Sequence, residues 1–178
     1  MMGDESTRAA LVAFFSTPAI TGIQKFYQDM PWFIDGKSWK LFANNGWGSI
    51  AFIHLDTAFE DRIAINGATA QGMPQGKKTV RHTVSIVIQY QYLIPPTMPT
   101  GQVEDAWVGP LDQTIDLVKA RLRSDPAMGT GVGGVIFQAA QQQNDIRQTR
   151  DLPVTSPQGS KVMSWNRIEF DVTEIITA

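Results

Sequence analysis

The stretch from Thr79 to Leu93, T-V-R-H-T-V-S-I-V-I-Q-Y-Q-Y-L, restricts what this chain can become more than any other. Val80, His82, Val84, Ile86, Ile88, Tyr90 and Tyr92 share one parity, and Arg81, Thr83, Ser85, Val87, Gln89, Gln91 and Leu93 share the other. Side chains alternate between the two faces of a strand, so one face is largely apolar and the other mostly polar. A strand of that length spans about 50 Å at roughly 3.3 Å per residue, whereas strands usually stop near five or six residues. It must bend, cross a whole sheet, or project beyond the body of a small domain.

The flanking segments supply what such a strand packs against. Asp4 to Ser16 reads as a helix, capped by Asp4 or Ser6 and ended by Pro18. Its body, A-A-L-V-A-F-F, is apolar nearly all round, which predicts a helix sandwiched between layers or subunits. A second helix is predicted from Pro110 to Ser124, with Leu111, Ile115, Val118 and Leu122 as one stripe and Leu117 off it. Pro110 suits its first turn, Asp112 its positive end, and Lys119, Arg121 and Arg123 its negative end. This helix should pack on the apolar face of the sheet.

Ser49 to Asp56 and Ala58 to Ile65 read as two strands of a compact hairpin turning near Asp56-Thr57. Asn66 to Lys78, N-G-A-T-A-Q-G-M-P-Q-G-K-K, is a glycine-rich loop, a natural arm at the tip of paired strands. Pro95, Pro96 and Pro99 force an extended connection. The glycines from Gly129 to Gly134 lead into a strand at Val135 to Ala140, and the last strand is Lys161 to Ile176. Between Ile20 and Gly48 lies an aromatic-dense region without a clean period, either a covering layer of loops and short strands or an interface anchor. Together these predict a single α+β domain over residues 1–178, with the aromatic region as an N-terminal elaboration. Its sheet would be mostly antiparallel and twisted, with four to six strands, two main helices on one face and a long projecting β-hairpin.

Composition narrows the function classes. Charged residues make up 18%, below the roughly 25% usual in soluble proteins, as expected if partners cover much of the surface or if the domain is merely rich in Gln, Thr and Ser. A net charge of −2 lacks the basic surplus of a phosphate-gripping protein. The absence of cysteine removes disulfides, thiolate catalysis and Cys-ligated metals. The acidic start, M-M-G-D-E-S-T-R, is unlike a signal peptide, and no apolar run approaches a membrane span, so a soluble protein made in a cytoplasm is expected.

Catalytic constellations are sparse. His54 shares a strand face with Asp56 and has Glu60 and Asp61 nearby, but no metal-binding spacing supports a zinc site, and His54 and His82 read as sheet histidines. G-T-G-V-G-G lacks the Lys-Ser/Thr of a phosphate loop and leads into a strand. Arg167, Glu169 and Asp171 alternate on one face as a solvated or intersubunit ionic ladder. No enzyme activity, cofactor or metal is expected.

Four phrases, K-K-T-V-R-H-T-V-S-I-V-I-Q-Y, L-D-Q-T-I-D-L-V-K-A-R-L-R-S-D, V-I-F-Q-A and W-N-R-I-E-F-D-V-T-E, occur in an order that resembles the tail terminator proteins of long-tailed, siphovirus-type bacteriophages. The likeness covers roughly residues 49–176; the aromatic region is longer than that family's core needs. It implies a homo-oligomeric ring, usually of six subunits, that caps the tail tube, ends its growth and docks head-side neck proteins. Double-stranded DNA would pass through the lumen without specific binding, at a virion's tail-neck junction assembled in the host cytoplasm, with no membrane involved. Partner contacts are then expected from the arm residues Asn66, Gln71, Met73, Gln75, Lys77 and Lys78, from Arg81, and from Trp165, Arg167 and Glu169. Other neck or tail components (a head-closure or tail-tube protein) share much of this pattern, and a small-molecule binding module is the alternative of a different class.

Overall fold

The computed structural model describes residues 4–30, 47–63, 77–125, 127–128, 135–137, 146–156 and 159–177. The fold is α+β. Its helices are α1 (Asp4–Ser16) and α2 (Val103–Ser124). The described strands are β1 (Ile23–Tyr27), β2 (Trp47–Ile63), β3 (Lys77–Leu93), β4 (Val135–Phe137), β5 (Arg147–Arg150), β6 (Val154–Thr155) and β7 (Lys161–Thr177). They form one sheet in the order β1-β2-β3-β7, with β4, β5 and β6 taking successive stretches of the outer edge of β7. Every pairing is antiparallel except β1 with β2.

The strand that dominates the sequence is central. Pairing on one side runs from Trp47↔Tyr92 to Ile63↔Lys77, and on the other from Leu93↔Lys161 to Lys77↔Thr177. β2, β3 and β7 each hold 17 residues. The end near Lys77 is therefore three strands wide, because β7 accompanies β3 along its whole length.

Two sequence expectations are corrected here. There is no hairpin turn at Asp56-Thr57: β2 runs straight through, and a bulge between Leu55 and Thr57 leaves Asp56 unpaired. Nothing in L-D-T-A supplies the positive φ of a tight turn, and one extra residue is absorbed more cheaply as a bulge. Likewise α2 begins at Val103, so Pro110 lies inside the helix and not in its first turn. Proline there forfeits one backbone hydrogen bond, and the added turns bring Trp107 onto the stripe four residues before Leu111. Leu117 stays off it, 37% exposed.

The even-parity face of β3 carries the core. Val84, Ile86, Ile88 and Tyr90 are wholly buried in one apolar cluster with Ala51 and Ile53 of β2 and Ile168, Phe170 and Val172 of β7. Leu11, Phe14 and Phe15 of α1 and Trp107, Leu111, Ile115, Val118 and Leu122 of α2 belong to the same cluster. Burial of each large side chain of this kind is worth about 1.5–3 kcal/mol. Helix α1 is more one-sided than its composition suggests, with Ala13 exposed opposite this contact.

Arg121 joins the two helices. Its Nε and Nη2 donate to the Phe14 carbonyl at 3.2 and 3.1 Å, Nη2 also donates to the Thr17 carbonyl, and its guanidinium lies 4.6 Å from the centre of the Phe14 ring. A cation thus satisfies the orphan carbonyls at the negative end of α1.

Candidate functional site

An apolar groove opens at the Leu93 end of the sheet. Its volume is about 400 Å³, within the range of ligand-sized pockets. Ile94 and Met98 come from the proline-rich connection, Val103 and Trp107 from the start of α2, and Pro153 and Val162 from the β5–β7 region. The connection is pinned in place: Ile94 N–H donates to the Ser160 carbonyl at 2.9 Å, and Tyr92 Oη donates to Met98 Sδ at 3.8 Å. The connection is not the extended one its prolines suggest: Met98 N–H donates to the Pro95 carbonyl at 3.0 Å and closes a turn.

The rim of this groove is distinctive. Glu104 lines it, and Glu104 and Asp105 occupy the exposed first turn of α2. Leu152 and Val154 are 88% and 54% exposed on the segment that contributes Pro153 and Thr155 to the lining. None of these was singled out from sequence. The available signals were E-D-A-W four residues ahead of the helical stripe and the apolar pair in D-L-P-V-T beside a proline.

The polar parity of β3 is not an open surface. Ser85, Gln89 and Gln91 are 1%, 4% and 0% exposed, and Ile50 and Phe52 beside them on β2 are also buried. Phe52 meets Trp165 edge to face, 6.5 Å between centroids. Arg81 remains exposed. Glu169 pairs with Arg147 at 3.3 Å and Arg167 at 3.5 Å, and Thr83 Oγ1 donates to Asp171 at 2.9 Å. Of the expected ladder, Arg167 and Glu169 pair within the chain, while Asp171 is held by the Thr83 hydroxyl. Asn66, Gln71, Met73 and Gln75 lie outside the described residues; Lys77 and Lys78 open β3, with their side chains outside the description.

The two histidines have different surroundings. His54 is half-exposed, 3.4 Å from Asp29 and 3.8 Å from Asp56; Asp29 also pairs with Arg8 at 3.5 Å. Ser85 Oγ donates to Asp56 and not to a histidine, so these residues do not form a Ser–His nucleophile pair. The side chains of Glu60 and Asp61 lie outside the description. His82 is buried, with Nε2 3.4 Å from Glu174 Oε2, and Thr7 Oγ1 donates to that same oxygen at 3.2 Å. His82 Nδ1 and Glu174 Oε1 have no partner. This polar clasp fixes α1 to β3 and β7 inside the apolar cluster. Among the described residues no three His, Cys, Asp or Glu side chains converge as a metal site, and no helix is long and apolar enough to cross a membrane.

Tyr90 is another buried polar group of the core face. Its hydroxyl has no partner, and burial, helped by neighbouring Tyr92, pushes its phenol well above the ordinary tyrosine range.

No protein-family model matches the chain, and no curated protein is significantly similar to it in sequence.

Proposed function

We propose that this protein is a structural ring subunit of the tail-terminator type, capping a phage tail tube and offering its other face to head-side neck proteins. The observation that carries the reading is the set of three 17-residue strands, paired along their full length in a chain of 178 residues. On β3 burial extends from Val80 to Tyr92, and backbone pairing continues three residues further, to Lys77. In this reading both helices sit on the even-parity face, and the paired ends of β2, β3 and β7 near Lys77 reach beyond them. A mildly acidic chain suits a lumen through which DNA slides without being held.

Light scattering and negative-stain imaging of the purified protein, alone and with tail tubes, test this directly. The expected result is a ring near six subunits, free or on tube ends. A monomer that binds neither tubes nor neck proteins but retains a small hydrophobic ligand would favour a second reading. The groove of about 400 Å³ is the observation behind that alternative, a small-molecule binding module.

A further inference from the structure

We infer that the groove at the Leu93 end of one subunit receives Leu152 and Val154 of the next subunit, as the head-to-tail contact that builds the ring. The inference rests on the ring reading above and adds the identity of the two surfaces. Leu152 is 88% exposed and Val154 54%, on a segment that contributes Pro153 and Thr155 to the groove lining. Cross-strand partners share a face of a sheet. Thr155 pairs with Val162, which also lines the groove, whereas Val154 pairs with Met163 on the opposite face. The apolar knob and the apolar hole therefore lie on opposite sides of one edge segment. Leu152 does not reach its own groove, because the segment is held at both ends: Asp151 N–H donates to the Trp165 carbonyl and Ser156 N–H to the Lys161 carbonyl, each at 3.0 Å. Two different patches facing opposite ways fit a heterologous contact, which repeats from copy to copy and closes where its rotation allows.

The chemistry of the two surfaces matches. The groove holds about 400 Å³ between walls that include Ile94, Met98 and Trp107, room enough for both aliphatic side chains. On the knob side, Lys161 stands two residues before Met163 and so shares its face, half-buried and with no ion-pair partner among the described residues. On the groove side, Glu104 and Asp105 are exposed where the groove meets α2, likewise without an ion-pair partner among the described residues. An apolar knob with a cation beside it thus meets an apolar slot bordered by anions. Opposed rim charges of this kind set register and partner choice more than raw affinity. Strand addition is a poor alternative at this edge, since β6 holds two residues and Pro153 before it has no N–H to offer. Side chains carry the contact.

The absence of native cysteine makes the test clean. Chains carrying Leu152→Cys are mixed with chains carrying Val103→Cys, in the groove wall, under mild oxidation at several hundred micromolar, and light scattering is run in parallel. The expected products are a disulfide-linked heterodimer in preference to either homodimer, and a ladder of linked multimers when both substitutions share one chain. Two further arms are independent of the crosslink. Leu152→Asp leaves the fold intact by circular dichroism, because the side chain is exposed, and should abolish assembly. Glu104→Lys or Lys161→Glu should each weaken assembly by about tenfold, and combining them should restore most of it. Rings that form without the heterodimer crosslink and survive Leu152→Asp, or a double-cysteine chain that closes only on itself, would overturn the inference and leave the ring reading standing. A chain that stays monomeric at these concentrations and on tube ends would overturn both.

Discussion

Replacing His82 with leucine tests the buried clasp between α1 and the sheet. His82 and Glu174 are each 1% exposed, and Thr7 is wholly buried. Removing the imidazole leaves Glu174 with only the Thr7 hydroxyl at 3.2 Å on Oε2, while Oε1 already lacks a partner. Breaking a buried pair by deleting one member typically costs about 3–5 kcal/mol, because the remaining charge or dipole stays buried. Glu174→Leu should cost less, about 1–3 kcal/mol, since it strands a ring nitrogen and a hydroxyl but no carboxyl group. The double replacement removes both and should return to within about 1 kcal/mol of the parent, as apolar substitutes for buried pairs often do. Urea unfolding followed by circular dichroism reads all four corners of the cycle. Single domains hold only about 5–15 kcal/mol, so the His82→Leu midpoint should fall conspicuously. A loss below about 1 kcal/mol for His82→Leu, with the two replacements additive within about 0.5 kcal/mol, would refute the clasp.

Three further outcomes follow from single positions. Gly22 holds φ at +93°, and a Cβ there would collide with Thr114 Oγ1 and come within 2.9 Å of the Trp47 ring, so Gly22→Ala should cost about 2–4 kcal/mol in urea unfolding from backbone strain plus overpacking. Arg121→Met removes the donors to the Phe14 and Thr17 carbonyls, and should lower stability by about 2 kcal/mol and loosen amide-exchange protection in α1 more than in β3. Tyr90 has a phenol pKa raised in the folded state, so folding keeps a proton that the unfolded chain gives up near pH 10. Stability is therefore full below about pH 10 and falls as pH climbs beyond it; Tyr90→Phe should flatten that alkaline loss in pH-dependent unfolding and be neutral or mildly stabilising at pH 7, where it removes an unpaired hydroxyl.

What was legible from sequence followed from strong periodicity. The alternation through Val80 to Tyr92 and through Lys161 to Ile176 defines β3 and β7, and the stripe from Leu111 to Leu122 defines the body of α2. Failures occurred where local chemistry and tertiary context disagree. Pro110 reads as a helix start, yet Trp107 buries against Tyr90, 6.5 Å between rings, and extends the helix past the lost hydrogen bond. Asp56-Thr57 reads as a turn, yet pairing with β3 on both sides turns it into a bulge. β5 and β6 are short and exposed and pair along the edge that β7 offers, while β1 is short but buries Ile23 and Phe26 in the core. The groove was invisible for a different reason: its walls come from segments remote in sequence and meet only once β7 lies beside β3.

The burial of Ser85, Gln89 and Gln91 alters where recognition can occur. From alternation alone, the polar parity of β3 is the natural contact surface. In the fold those residues are covered, and farther along the same face Arg167 is taken up by Glu169 and Asp171 by Thr83, while Arg81 stays exposed. Exposed and uncommitted chemistry is displaced from the centre of the sheet to its periphery: Leu152 and Val154 on the β5–β6 side, and Glu104 and Asp105 beside the groove. Length is what separates these features from the Lys77 end. Seventeen residues put the groove and the Lys77 end about 50 Å apart, at roughly 3.3 Å per residue. Shortening β2, β3 and β7 together by two residues preserves facing and pairing, and on the proposed ring reading should leave a folded chain that light scattering finds unable to assemble.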